Sequence, residues 1–407
     1  MTTITSSSSG ARCAASPESD AVTGGVLPDE PLPPDLEALC VRARAFVADV
    51  LLPAEREARV GEEGQASPEL RRLIRARAEG AGLFRLAQPV EVGGGGLGPL
   101  GQVALHEAIA ATGAALAGLV VGGSGGLLRH GDAAQRERFL LPVLRGELAA
   151  SFAFTDAREG PRTTATRDGD GFRVSGMKSF VTDGPAADLL LTVARVVDAS
   201  GASQGTAVFV IPRVAPGVTL RRTLATLDGA MHGEFELRDV RVPAADMIGE
   251  VGQGLPRALE DIAATRLRMA ATACGAARWT LDWILGQVDR PHRSGTPLAE
   301  REQVQAMLAE SALDIFGGRS AVYAAARRAE AGEAADVETA MAKALATEAV
   351  ARVVDRAIQL TGGAAVVEGH PLERLYRRIR SWRIAEGTTE VLRLTIARGL
   401  LARRRGP

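Results

Sequence analysis

Arg380-Ser381-Trp382-Arg383-Ile384-Ala385-Glu386-Gly387-Thr388-Thr389-Glu390-Val391 joins two amphipathic segments, and the fold is read outward from it. Ahead of it, Ala346, Val350, Val353, Ala357 and Leu360 recur at steps of four and three, which is one face of a helix. Gly362-Gly363 stops that helix, because glycine takes the left-handed C-terminal conformation at little steric cost. Behind it, Thr388 or Thr389 can cap a new helix. Its first turn carries Glu390 and its last carries Arg403, Arg404 and Arg405, the polarity a helix dipole favours. Glu386 therefore stands in a short interhelical connection, followed by a residue with no side chain. A ligand can approach such a backbone closely, and a carboxylate there can act as a general base. A glutamate before a helix start is ordinarily a solvated loop residue, so the rest of the chain must supply its companions.

A chain of 407 residues is too long for one compact core. Apolar residues make up 46% and aromatics only 4%, so alanine and leucine fill the interior and helices are favoured over a large all-β protein. The net charge of −1 provides no field for nucleic acid or anionic membrane. Cys13, Cys40 and Cys274 form neither a disulfide framework nor a metal pattern, and the five histidines lack ligand spacing, so no metal is expected. No apolar run reaches a membrane span, and the Ser/Thr-rich start carries no hydrophobic signal core. A cytoplasmic setting is expected.

Residues 1–34, rich in Ser, Pro, Gly and Ala, read as a disordered tail. Helical patterning starts at Asp35 and resumes near Pro68–Glu79, Leu100–Gly113, Ala114–Arg129 and Asp132–Leu144. Pro89–Gly98, with four adjacent glycines, reads as a plain loop, because no Lys-Ser/Thr follows to make a phosphate cradle. From about Leu148 the texture changes to short β-type runs separated by Asp-Gly and Pro-Gly turns: Phe152–Thr155, Phe172–Ser175, Phe180–Thr182, Leu189–Val197, Thr206–Ile211, Val218–Leu220 and Phe235–Val242. From about Gly254 long helices return with short connections. The expected fold is α+β: an N-terminal helical domain (35–148), a central β-barrel or sandwich (149–253) and a C-terminal four-helix bundle (254–407).

That order and several motifs resemble the acyl-CoA dehydrogenase family of FAD flavoproteins, from Asp35 to Leu401. The family's flavin-contacting strand appears as Phe152-Ala153-Phe154-Thr155-Asp156, followed by Gly160. Its second flavin motif appears as Phe180-Val181-Thr182. The resemblance implies that Phe180 lies against the flavin ring and that Thr155 and Thr182 bond its edge. Thr265-Arg266 falls where the family places CoA-contacting groups. Gln359-Leu360-Thr361-Gly362-Gly363 resembles the segment that meets the FAD of a neighbouring subunit. By the same resemblance Glu386 is the base that removes the substrate's α-proton, while the β-hydrogen leaves as hydride to the flavin. The Gly387 amide helps polarise the thioester carbonyl, and Thr388 and Glu390 lie near the FAD. Family members that carry their base on the first bundle helix place it where this chain has Thr265, so Glu386 is the only candidate at either place.

The chain also departs from the family. Pro161-Arg162 leads straight from Gly160 into Thr163-Thr164-Ala165, a shortened loop that leaves an acyl carrier protein as an alternative to CoA. The Arg-x-x-Phe-Gly turn reads Arg290-Pro291-His292-Arg293-Ser294-Gly295, without its aromatic. Either Arg290 or Arg293 can take the arginine's part in reaching a neighbour's FAD. Arg301-Glu302 and Arg378 also replace usual residues. The resemblance implies an acyl thioester α,β-dehydrogenase that passes electrons to an electron-transferring flavoprotein and assembles as a homotetramer. The rival readings are an oxidase using oxygen and a non-catalytic flavoprotein of the same fold that binds nucleic acid, against which the near-neutral charge argues.

Overall fold

The computed structural model describes residues 25–58, 60, 66–122 and 125–405. Cys13 and the expected tail up to residue 24 lie outside the described residues. The N-terminal region opens with α1 (Pro34–Phe46), which continues through a π-helical turn at Val47–Leu51 into a short helix, Leu52–Glu57. Next come α2 (Pro68–Gly80), capped by the Ser67 hydroxyl on the Leu70 amide, and α3 (Pro99–Ala110). Proline opens all three helical runs, where its missing N–H would be unpaired in any case. Leu39, Phe46, Leu51, Leu70, Ile74, Leu105 and Ile109 close one core.

Two expectations fail in this region. Ala114–Arg129 is not one helix. Gly122, Gly125 and Gly126 take positive φ, and the stretch keeps only a short helix at Gly118–Val121 and a 3-10 segment at Gly126–His130; residues 123 and 124 lie outside the description. Residues 25–33, expected as disordered tail, run along the bundle instead. Val26 N–H donates to Asp282, Arg278 bonds the Leu27 carbonyl and Asp29, and Arg327 pairs with Glu30. The Pro89–Gly98 loop is tightly built at Gly94, where a Cβ would lie 2.2 Å from the Gln88 carbonyl oxygen, so this glycine serves close backbone approach.

The central region is one mixed sheet: β1 (Ala150–Ala153), β2 (Thr164–Asp168), β3 (Gly171–Thr182), β4 (Leu189–Val197), β5 (Ser203–Pro212), β6 (Val218–Ala225), β7 (Met231–Pro243) and β8 (Met247–Ile248). The order is β6-β7-β3-β2-β4-β5-β8. β1 and β2 both run parallel to β4, β1 against Leu189–Thr192 and β2 against Arg195–Val197. They therefore lie end to end along one edge of β4, and residues 154–163 form the loop between them. The two short runs expected at Phe172–Ser175 and Phe180–Thr182 are one strand, β3, with irregular pairing at Val174/Gly176 and Lys178/Val181. Phe172, Val181, Phe209 and Phe235 fill one face of the sheet. On the other, Leu191, Val193 and Val208 pack on Leu127, Phe139 and Leu140 of the N-terminal region.

The C-terminal region comprises α4 (Gly254–Val288), α5 (Glu302–Glu330), α6 (Asp336–Thr361), α7 (Pro371–Trp382) and α8 (Thr389–Arg405). Its core is rich in alanine, with Ala270, Ala273, Ala277, Ala326, Ala342 and Ala346 buried, so the long helices approach closely. A Cβ on Gly275 of α4 would stand 2.3 Å from the Glu107 carbonyl of α3. No helix among the described residues is long and apolar enough to cross a membrane.

One buried ionic cluster ties α3 to the bundle. The Glu107 carboxylate, 2% exposed, accepts from Arg278, Arg319 and the Tyr323 hydroxyl. Glu107→Gln keeps the volume but leaves buried guanidinium charge without its counter-charge. We expect a loss of about 3–5 kcal/mol, read as a lower urea midpoint at unchanged slope. An unchanged midpoint would show the cluster to be energetically neutral.

Candidate active site

The connection between α7 and α8 is short because it is wound tightly. Ile384 and Ala385 N–H bond the Ser381 carbonyl, and Thr389 N–H reaches back to Arg383. Glu386 then takes φ +56° and Gly387 φ +98°. A glutamate in the left-handed region is strained by about 1–3 kcal/mol and persists only where its surroundings hold it. Two cations hold this one by its backbone: Arg266 Nε donates to the Glu386 carbonyl oxygen at 2.6 Å, and Lys343 Nζ to the Gly387 carbonyl oxygen at 2.8 Å. The positive φ favours glycine at 387, and a Cβ there would also crowd the Arg266 guanidinium at 3.0 Å. Glu348 of α6 adds a third tie, accepting from Arg383 and from the buried Thr389 hydroxyl. Thr388 is the residue that caps α8, its Oγ1 accepting the Val391 N–H at 3.3 Å.

The electrostatics centre on Glu386. Burial pushes its carboxyl above the ordinary 4.5; Arg266, Lys343 and Arg268 pull it back, while Asp261 pushes it further up. Burial, and then Arg266, bring the Lys343 ammonium down to about 8. Nε of Arg266 is committed to the Glu386 backbone, so this residue positions the base loop. Gly387 N–H makes no hydrogen bond among the described residues.

Thr265 lies on α4 one turn after Asp261. Its hydroxyl donates to the Asp261 carbonyl oxygen at 2.9 Å and accepts from Arg268 at 2.9 Å. Reading the sequence did not bring Asp261, Arg268 or Lys343 to this site. A signal was available on α4: Asp261, Thr265 and Arg268, spaced by four and three, fall on one face of the helix.

The expected flavin-contacting residues gather at the β1–β2 break. Phe152 and Phe154 stack with centroids 5.4 Å apart. Thr155 is exposed, and its carbonyl accepts the Ser179 N–H, which places it beside Phe180. Phe180 is 60% exposed at φ +53°, a large apolar ring presented to solvent in a strained conformation. The exposed Thr182 hydroxyl pairs with His232 at 3.2 Å. Val181, by contrast, is fully buried in the sheet core, so only its backbone faces the site. Gly160 packs on Met177, with 2.6 Å from a would-be Cβ to the sulfur. The shortened loop is closed by Asp156, whose Oδ1 accepts from the Thr163 hydroxyl and from buried Lys178, each at 2.8 Å. Aromatic faces beside exposed hydroxyls and open main chain suit a flat ring with a hydrogen-bonding edge, and that donor set fits FAD.

Other expected contacts are not brought to this place within one subunit. Gln359, Gly362 and Gly363 are exposed at the far end of α6. At the helical rise, Gln359 lies about 24 Å along the axis from Lys343, the residue bonded to Gly387. Arg293 is exposed on the loop beyond α4, whose end at Val288 is already about 33 Å along the axis from Arg266. Glu390 points outward in the first turn of α8, its carboxyl held below the ordinary value by its own backbone amide and by Thr388.

An N-terminal helical region, a mixed sheet and a long-helix bundle, with a carboxylate pinned at a helix junction, define a flavoprotein dehydrogenase architecture. Comparisons with known proteins agree. Profiles of the acyl-CoA dehydrogenase N-terminal, middle and C-terminal domains match residues 33–147, 153–240 and 252–401. The mitochondrial short-chain specific acyl-CoA dehydrogenase of Mus musculus is 31% identical over 334 residues, 79% of this chain and 80% of that protein. The 3-(aryl)acrylate reductase of Clostridium sporogenes is 29% identical over 354 residues, 84% of this chain and 93% of its own length. Butyryl-CoA dehydrogenase from Megasphaera elsdenii superposes with a TM-score of 0.79 at 26% identity, covering 92% of this chain and all of that one. The chain belongs to the acyl-CoA dehydrogenase family, whose members are FAD-dependent oxidoreductases.

Phe180→Gly separates strain from function. It relieves the positive φ, so the flavin-free protein gains about 1 kcal/mol in urea unfolding while its affinity for FAD falls. A loss of stability with unchanged FAD affinity would make Phe180 a packing residue instead.

Proposed function

We propose that the protein oxidises the Cα–Cβ bond of an acyl-CoA, with Glu386 as the base. The observation that carries this reading is the double backbone anchorage of Glu386 by Arg266 and Lys343, which holds a strained, part-buried carboxylate in a fixed place. The α-C–H bond breaks, its proton passes to Glu386, and the bonding pair forms the new Cα–Cβ π bond as the β-hydrogen departs with its electron pair. Bound FAD supplies the acceptor for that hydride. The unclaimed Gly387 N–H donates to the thioester oxygen and stabilises the charge that gathers there as the α-proton leaves. The second electron acceptor is an electron-transferring flavoprotein, which returns the cofactor to its oxidised form.

The bundle surface supports self-association. Leu313 and Phe316 on α5 are 71% and 68% exposed, and Leu345, Leu394 and Leu401 are also open. A homotetramer that covers these residues would let Gln359–Gly363 and Arg293 reach the FAD of a neighbouring subunit. A second reading, with an acyl carrier protein as the thioester carrier, rests on the short Gly160–Thr163 loop, where Arg162 stands exposed. Turnover of one acyl group on free CoA and on a carrier protein separates the two, and a strong preference for CoA removes the second.

Anaerobic acyl-CoA is expected to bleach the flavin, and Glu386→Gln to slow that bleaching by roughly 10²–10⁴-fold with flavin content and substrate binding retained. Wild-type rates in that variant would refute the base. The pH dependence has a defined sign: the base must be ionised, so the rate falls as pH drops through a value above the ordinary 4.5. Lys343→Met removes a cation that favours the ionised form, so the acid limb of the pH–rate profile should move to higher pH. A limb that stays in place or moves down would contradict the arrangement.

A further inference from the structure

The face of α4 that carries Asp261, Thr265 and Arg268 meets α3, where Gln102 and His106 stand one turn apart. Most of the bundle interior is alanine and valine, but this seam is polar. Arg268 donates from Nη2 to Thr265 Oγ1 at 2.9 Å and from Nη1 to Gln102 Oε1 at 3.3 Å. Both acceptors are neutral, and no ion pair to Arg268 is formed among the described residues. Its remaining guanidinium donors are therefore unclaimed. The His106 ring makes no hydrogen bond among the described residues either. Burial, with Arg268 beside it, drives the His106 imidazole down to about 3, so the ring is neutral and keeps one N–H to donate. Asp261 is 9% exposed and its Oδ1 has no hydrogen-bond partner. The cation nearest it is Arg129 at 3.9 Å; the charges of Asp261 and Glu386 also reach Arg268, but neither carboxylate bonds its guanidinium directly. The seam lies beside the base, for Arg268 and Asp261 both act on the Glu386 carboxyl.

A purely hydrocarbon acyl tail laid against these groups would strip water from a guanidinium and an imidazole and give nothing back, at about 1–3 kcal/mol per unpaired group. An oxygen acceptor would satisfy them, and a carboxylate would do so best, since the planar guanidinium binds it in bidentate fashion. We infer that Arg268, assisted by His106, selects an acyl group that ends in a carboxylate, so that the preferred substrate is the mono-thioester of a dicarboxylic acid. The inference rests on the acyl-thioester reading of Glu386. Arg268 acts here on substrate choice rather than on the bonds that change.

The test compares matched methyl-ended and carboxyl-ended acyl-CoA thioesters across a chain-length series, in the flavin-loaded wild type, Arg268→Met and Arg268→Lys. The kcat/KM ratio is measured for each pair. Binding of the corresponding enoyl-CoA products is measured separately by calorimetry. The wild type should favour the carboxyl end by roughly 10–100-fold, the discrimination expected of a charge-assisted pair. Arg268→Met should abolish or invert that ratio and raise the methyl-ended rate, and Arg268→Lys should restore part of it. A wild type that favours methyl ends, with a ratio unmoved in Arg268→Met, overturns the inference. So does an equal loss for both series at normal flavin content, which would make Arg268 structural. If both series bind but neither bleaches the flavin, the dehydrogenase reading falls while the ratio of binding constants still judges Arg268. If neither binds, both readings fall.

Discussion

Two hydrogen bonds to backbone carbonyls, Arg266 Nε to Glu386 and Lys343 Nζ to Gly387, are the constraint on which the site depends. Each cation belongs to a different long helix, α4 or α6, and each is buried or part-buried without an ion pair among the described residues. Burying an ammonium in this way is unfavourable, and Lys343 accordingly sits at about 8. The fold tolerates it because the same contacts fix the α7–α8 junction in left-handed geometry at two consecutive residues. The base loop is thus a shared product of three helices, and a change in the packing of α4 on α6 would be felt first at Glu386.

Strain and electrostatics point to the same places. Among the described residues, the non-glycine residues at positive φ are Arg85, Phe180, Asp183, Asp239 and Glu386. Phe180 presents an exposed ring beside Thr155, and Glu386 presents a part-buried carboxylate. Both side chains would relax if the backbone did, so both conformations are maintained by neighbours rather than by intrinsic preference. Around Glu386 the protein gathers Arg266, Arg268 and Lys343 against Asp261, so the carboxyl is raised by burial yet kept within reach of ionisation.

Much of this was legible in the chain. The 3.6-residue period of Ala346, Val350, Val353, Ala357 and Leu360 marked α6, because its inward positions are filled by apolar side chains. The sheet was legible in outline from its turn residues, although β3 was divided in two because Gly176 and the exposed Phe180 interrupt its pattern. The Glu386 junction could be read because its cap, its glycine and its carboxylate are adjacent in sequence. What could not be read depends on residues far apart: Arg268 finds Gln102 166 positions away, Arg319 finds Glu107 212 away, and Asp29 finds Arg278 249 away. Pairings of that kind leave no periodic trace, which is why residues 25–33 looked like tail and the tie of Arg266 to the Glu386 backbone was not anticipated. The broken Ala114–Arg129 stretch is a different case, since Gly122, Gly125 and Gly126 were a warning that an apolar pattern outweighed.

The central claim is that a carboxylate pinned through its own backbone removes the substrate's α-proton. It is tested most directly by following that proton alone. An acyl-CoA analogue with sulfur in place of the β-carbon has no β-hydrogen to give, so exchange of its α-hydrogen with heavy water reports base action without flavin reduction. The account predicts enzyme-catalysed exchange in the wild type, slower exchange in Arg266→Met because the loop is released, and none above background in Glu386→Gln despite retained binding. Exchange at the wild-type rate in Glu386→Gln would contradict it.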